Sequence, residues 1–172
     1  MRPMALFLSF AVTLSGAPYV SAQVAGTAVA PAVLVSEVDW MGVLSRSASN
    51  NTLDTKVAET AVRGGVVRVG VIYRSRSETR ALVHQELTEI YSIVEGSGTL
   101  ITGGTATESQ PVSDPPNLGL TPSFFVTQVG GERRRVGPGD IVVIPAGLPH
   151  RLIELDGPMS YTIYRFEPTS PR

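Results

Sequence analysis

The chain has no cysteine among its 172 residues. That excludes disulfides, thiolate metal sites and cysteine nucleophiles together. Charge is also sparse, at 17% with a formal net charge of -1. No strong field of either sign exists to attract nucleic acid or an anionic membrane, so neither is an expected partner. No uncharged apolar run approaches the roughly 20 residues that a membrane-spanning helix takes. No internal repeat is visible, and neither a phosphate-binding glycine loop nor the spacing of a nucleophile elbow appears. What the chain has in quantity is 17 glycines and 13 prolines. They imply many turns and many short strands rather than a helical bundle, in a length that suits one domain.

The first residues read as an export signal. Arg2 supplies a positive start, Met4 to Leu14 is an apolar stretch of eleven residues, and Val20-Ser21-Ala22 offers the small residues of a cleavage site. Residues 1–22 are therefore expected to be a signal peptide, and the mature protein to be periplasmic or secreted with no membrane attachment. Residues 23–64 read as a lead-in with one short helix. Ser36 is its N-cap, Glu37 and Asp39 fill the first turn, and Trp40, Met41, Val43 and Leu44 form its apolar face. Such a helix would pack on the outside of whatever follows.

From Gly65 the texture becomes that of strands, and residues 65–168 are expected to form the folded domain. Val67, Val69 and Val71 alternate with Arg68, Gly70 and Ile72. Ala81 to His84 and Glu89 to Val94 read as the next pair, joined by a tight connection. Thr99 to Thr102, Phe124 to Val129, Ile141 to Ile144, His150 to Leu155 and Tyr161 to Phe166 supply further strands. Thr105 to Pro122 carries four prolines and reads as a surface loop. Short strands between regular turn signals point to an antiparallel sandwich or barrel.

The most informative stretch runs from Gly139 to His150. Gly137-Pro138-Gly139-Asp140 is turn chemistry, and Ile141 to Ile144 is a β-branched run suited to a strand buried on both faces. Pro145-Ala146-Gly147 stops that strand, and His150 opens the next one, with Leu152 and Glu154 sharing its parity. This pattern resembles the second cupin motif, G-x5-P-x-G-x2-H-x3-N, at Gly139, Pro145, Gly147 and His150, with Glu154 where asparagine is usual. Upstream, His84, Glu89 and Gly96 resemble part of the first cupin motif, G-x5-H-x-H-x3-4-E-x6-G. One histidine of that motif is missing. Either His84 takes the second histidine's place and Leu82 the first's, or His84 is the first and Glu86 replaces the second. The resemblance implies an all-β double-stranded β-helix, a jelly-roll barrel with ligand side chains pointing inward, and a homodimer.

Two imidazoles and a carboxylate suit a divalent first-row ion such as Fe, Mn, Ni or Zn, and leave coordination positions open for substrate. The chain contains only two histidines, and both fall at motif positions. The expected metal ligands are therefore His84, Glu89 and His150, with Glu86 and Glu154 left open. Glu89 has a plainer reading as an exposed strand charge or as a partner of Arg80. Tyr91 shares its parity and can hydrogen-bond a ligand or simply pack in the core. Arg74 and Arg76 can face a carboxylate substrate, whereas Arg133-Arg134-Arg135 reads as a solvated hairpin tip. Two function classes follow. One is a metal-dependent oxygenase, isomerase or lyase acting on a small molecule; the other is a non-catalytic module that binds or senses a small ligand.

Overall fold

The computed structural model describes residues 30–112 and 122–169. The proposed signal peptide lies outside them. Among the described residues one helix, α1 (Glu37–Asn50), precedes eleven strands: β1 (Asp54–Val62), β2 (Gly65–Arg74), β3 (Ala81–His84), β4 (Thr88–Glu95), β5 (Gly98–Thr102), β6 (Thr105–Pro111), β7 (Ser123–Val129), β8 (Glu132–Val136), β9 (Ile141–Ile144), β10 (His150–Ile153) and β11 (Met159–Pro168). They form two antiparallel sheets, a five-stranded one in the order β1-β2-β11-β4-β9 and a six-stranded one in the order β6-β7-β3-β10-β5-β8. From β2 to β5, and again from β8 to β11, each successive strand changes sheet. That alternation is the winding of a double-stranded β-helix, as expected.

Helix α1 begins where its capping residue predicts. The Ser36 hydroxyl accepts from the Asp39 amide while Asp39 reaches back to the Ser36 backbone, which closes a capping box. The helix ends on Asn51 in the left-handed region, whose amide bonds back to Ala48 and Ser47. Its buried face runs through Leu44 and Ser47, and Met41, expected on that face, is 45% exposed. Ser47 Oγ lies 2.9 Å from Thr55 Oγ1, which ties the helix to β1. Val71, on the outer parity of β2, is fully buried, consistent with α1 packing on β1 and β2.

Four expectations change. The sheet begins at Asp54, ahead of Gly65, because β1 pairs with β2 from Gly65 to Ile72. Its polar, half-exposed pattern carries no clean alternation, so propensity alone passes over it. Strands β3 and β4 are not a hairpin: the Gln85-Glu86-Leu87 connection crosses from one sheet to the other. Part of the proposed 105–122 loop is strand β6, a wholly exposed edge paired to β7. Finally, β9 is an edge strand, not one buried on both faces. Ile144 is 1% exposed, but Ile141 is 69% and Val143 is 59% exposed. A β-branched run reports strand propensity, and burial is decided by the strand's neighbours.

The apolar core fills one part of the space between the sheets, with Tyr161, Met159, Leu152, Ile144 and Ile93 at its centre. Two motif glycines shape the chain beside it. Gly96 has φ +75°, and a Cβ there would overlap the Pro158 carbonyl; Gly147 has φ +78° and open space around it. Gly147→Ala is therefore expected to cost only the left-handed penalty of about 1–2 kcal/mol. Gly96→Ala should cost about 3 kcal/mol or more, because a backbone clash adds to that strain. Urea midpoints of the two variants compared with the parent chain measure the difference. Equal losses would show that the Gly96 contact is unimportant.

Candidate metal centre

His84 closes β3 and His150 opens β10, and these strands are neighbours in the six-stranded sheet. His150 pairs with Leu82, two residues before His84, so both imidazoles leave the sheet on its inner face. Glu89 stands on β4 in the opposite sheet, between Arg165 on β11 and Ile144 on β9. The two imidazoles thus face a carboxylate across the barrel. All three are buried, at 4%, 4% and 1% exposure. One ligand atom from each lies within 4.8 Å of the others.

The local bonding sets the direction of each ring. His150 Nδ1 is 2.9 Å from the Leu148 carbonyl, which can only accept, so Nδ1 carries the proton. His84 Nδ1 is 2.6 Å from Ser123 Oγ. Both Nε2 atoms consequently turn inward, 3.3 Å from the two oxygens of Glu89, His84 toward Oε1 and His150 toward Oε2. Neither makes a directed hydrogen bond there, and both are buried without a partner. In a neutral His150 a nitrogen lone pair therefore faces an anionic oxygen. Such an arrangement calls for a positive charge between them, either a proton or a metal ion.

Glu89 is fixed by other groups. Arg165 Nε donates to its Oε1 at 2.9 Å, and the Tyr91 hydroxyl donates to Oε2 at 2.8 Å. Arg165 is anchored in turn by Asp54, with Nη2 2.5 Å from Oδ2. Each carboxylate oxygen keeps a further lone pair for an ion. Burial opposes the charge of Glu89, but the two imidazoles and the Arg165 guanidinium still hold its carboxyl well below the usual carboxylate range. Burial and the adjacent Glu89 charge push the Tyr91 hydroxyl well up, so it stays a donor. At His150 burial opposes protonation, and the Glu89 carboxylate outweighs it and raises the imidazole.

The donor set fits a divalent ion. Ligand atoms lie about 2.0–2.2 Å from a first-row metal, so the three groups need only close in slightly around it. Arg165 and Tyr91 orient the carboxylate, and Leu148 and Ser123 orient the rings, which is the support that such ligands need. The trio opens on a cavity of about 340 Å³ whose other walls include Ile72, Leu82, Phe125, Tyr161 and Ile163. This volume holds a small molecule.

The two open candidates fall outside. Glu86 is exposed on the sheet-crossing connection, whereas Leu82, on the same parity as His84, lines the cavity. Glu154 lies past the end of β10 with φ +50°, bonded to Thr99 and Arg133. It therefore loses the parity it would have shared with His150. Glu89 pairs with Arg165 rather than Arg80, whose guanidinium is held by Gln110 and the Glu108 and Phe125 carbonyls. Arg74 lines the cavity, and Arg76 is exposed. Sequence reasoning missed Arg165 and Asp54. Arg165 had a signal, since it shares the inward parity of Tyr161 and Ile163; Asp54 had none once β1 was overlooked.

No protein-family model matches the chain, and neither does any curated protein. Solved structures do. The BH2720 protein of Bacillus halodurans is similar over 83% of this chain and 86% of its own, with 16% identity and a TM-score of 0.50. A Cupin 2 conserved barrel domain protein of Salinispora arenicola matches over 66% of this chain and 74% of its own, at 13% identity and a TM-score of 0.42. The DMSP lyase DddQ of Ruegeria pomeroyi matches over 62% of this chain and 40% of its own, at 20% identity and a TM-score of 0.37. The chain thus spans less than half of that lyase. The likeness to BH2720 is one of fold, and the alternation of successive strands between two antiparallel sheets is the winding of a cupin-type barrel.

Removing Arg165 would leave the buried Glu89 and the half-buried Asp54 without their guanidinium partner. Arg165→Met is expected to destabilise the metal-free protein by about 3–5 kcal/mol. Arg134→Ala, which breaks only the exposed pair with Glu132, should cost under about 1 kcal/mol. Chemical unfolding of both variants makes the comparison, and similar losses would deny Arg165 its central place.

Proposed function

We propose that this is an exported protein that holds one divalent transition metal at His84, Glu89 and His150 and uses it as an enzyme on a small molecule. One observation carries the reading. Two buried imidazole nitrogens without hydrogen-bond partners converge on one buried carboxylate beside a cavity of small-molecule size. Bound there, an ion supplies Lewis acidity, or one-electron chemistry if it is redox-active. The reaction class is of the oxygenase, isomerase or lyase type.

The chain's own residues do the rest. His84, Glu89 and His150 would hold the ion, and the cavity they border would be left to substrate. Ile72, Ile163 and Phe125 supply apolar wall that excludes water and strengthens polar contacts within. The Tyr161 hydroxyl, pushed up to about 12 by burial and by nearby carboxylates against the pull of Arg74, remains protonated and can donate to a bound oxygen. A second reading, a non-catalytic ligand-binding module, is favoured by Leu82. An aliphatic side chain stands where the family pattern places a further metal ligand, which weakens the hold on the ion.

Elemental analysis of the purified protein is expected to give about one Fe, Mn, Ni or Zn per chain. His84→Ala and His150→Ala should each reduce that content about tenfold or more, since two protein ligands rarely hold such an ion. Metal retained in both variants would end the proposal, and a metal-free wild type that binds small molecules would favour the module. Export is tested separately. N-terminal sequencing of protein recovered outside the cytoplasm should begin at Gln23, and recovery of the intact Met1 form in the cytoplasm would overturn that part.

A further inference from the structure

A second cavity of about 460 Å³ adjoins the metal cavity. Leu53, Arg74, Glu78 and Phe125 line both, so they form the partition between them. Arg74 is the polar centre of that wall. Its Nη1 lies 2.9 Å from Glu78 Oε1, and its Nη2 donates to the Tyr161 hydroxyl at 3.2 Å. Its Nε is buried with no hydrogen-bond partner. A buried donor left unpaired is costly, and more so on a charged group. Tyr161, having accepted from Arg74, keeps its own proton to give. Two donors therefore stand together at the partition.

The charges point the same way. The outer cavity is lined by Arg74, Arg76 and Arg80 against Glu78 alone. Inside, Arg74 and Arg165 face Asp54, Glu78 and Glu89, which leaves one negative charge in excess. A divalent ion with neutral imidazole ligands turns that excess into one positive charge. A single anion then neutralises the cavity.

We propose that the ligand is a small monoanion bearing a carboxylate, which enters through the arginine-lined outer cavity and is held by Arg74 together with the Tyr161 hydroxyl. The proposal rests on the metal reading for its charge count, and on the partition alone for its geometry. A guanidinium has five donors in a planar fork, so Arg74 can keep Glu78 and Tyr161 and still serve a carboxylate with its remaining N–H groups. The apolar walls around Ile72, Leu82 and Ile163 receive the body of the molecule, and an ion held by His84, Glu89 and His150 would border the same cavity.

The test is calorimetric titration of the full exported chain, loaded with its ion, with pyruvate, lactate and benzoate, each beside its primary amide. At least one carboxylate is expected to bind about tenfold to a hundredfold more tightly than its amide, the range that a charged hydrogen bond supplies. The double variant Arg74→Gln/Glu78→Gln removes both charges of the pair and leaves no lone buried ion. It should lose the preference while elemental analysis finds its metal content unchanged. Arg74→Lys, which keeps the charge without the fork, should recover part of it. The proposal is overturned if no carboxylate outbinds its amide, or if the double variant keeps the preference. A metal-free wild type that still prefers carboxylates through Arg74 would refute the metal reading and uphold this one.

Discussion

The structure depends on keeping one carboxylate ionised in the interior of a barrel. Glu89 is almost wholly buried, and an isolated charge there would be prohibitively costly. Arg165, Tyr91 and two imidazoles surround it, and Asp54 steadies the arginine from behind. These groups come from both sheets and from strands at opposite ends of the chain. The polar cluster therefore constrains where β1, β4, β10 and β11 sit relative to one another. A half-formed version would be worse than an apolar core, and so the barrel either assembles the cluster completely or does not close well.

Much of this was legible in the residues. The turn chemistry at Gly137–Asp140, the break at Pro145–Gly147 and the position of His150 predicted a strand-turn-strand unit, and β9 and β10 occupy it. The placing of the chain's only two histidines at motif-like positions, with Glu89 beside one of them, pointed to a convergence that no single strand could produce. Parity failed where the backbone leaves the strand: Glu154 turns into the left-handed region and carries its carboxylate outward. Propensity failed at β9, because four β-branched residues look the same at an edge as in a centre. It failed at β1 and β6 as well, whose exposed polar sequences pair only because a neighbouring strand offers its hydrogen bonds. Pairing across the barrel is non-local, and it leaves little trace in a short window.

The interior divides its labour between the two halves. Toward Ile93, Leu152 and Met159 the space is filled by interlocking apolar side chains. Toward Asp54, Arg74 and Arg165 it is left open and furnished with buried ions. The closed half supplies cohesion, and the open half spends some of it on desolvated charge. The same asymmetry explains why the polar residues are tied so closely to one another. Where apolar packing is absent, hydrogen bonds must fix the geometry.

In coordination terms, the sheet-crossing connection would make His84 and Glu89 two arms of one short chelate, with Gln85, Glu86, Leu87 and Thr88 as the backbone of the ring. Those arms remain covalent neighbours even in an unfolded chain. His150 belongs to a distant segment and joins them only after β10 has paired beside β3. An ion could thus be captured weakly by a nascent polypeptide and gripped by all three donors only once the barrel is wound. Occupancy of the centre would then report, from inside, that folding had finished.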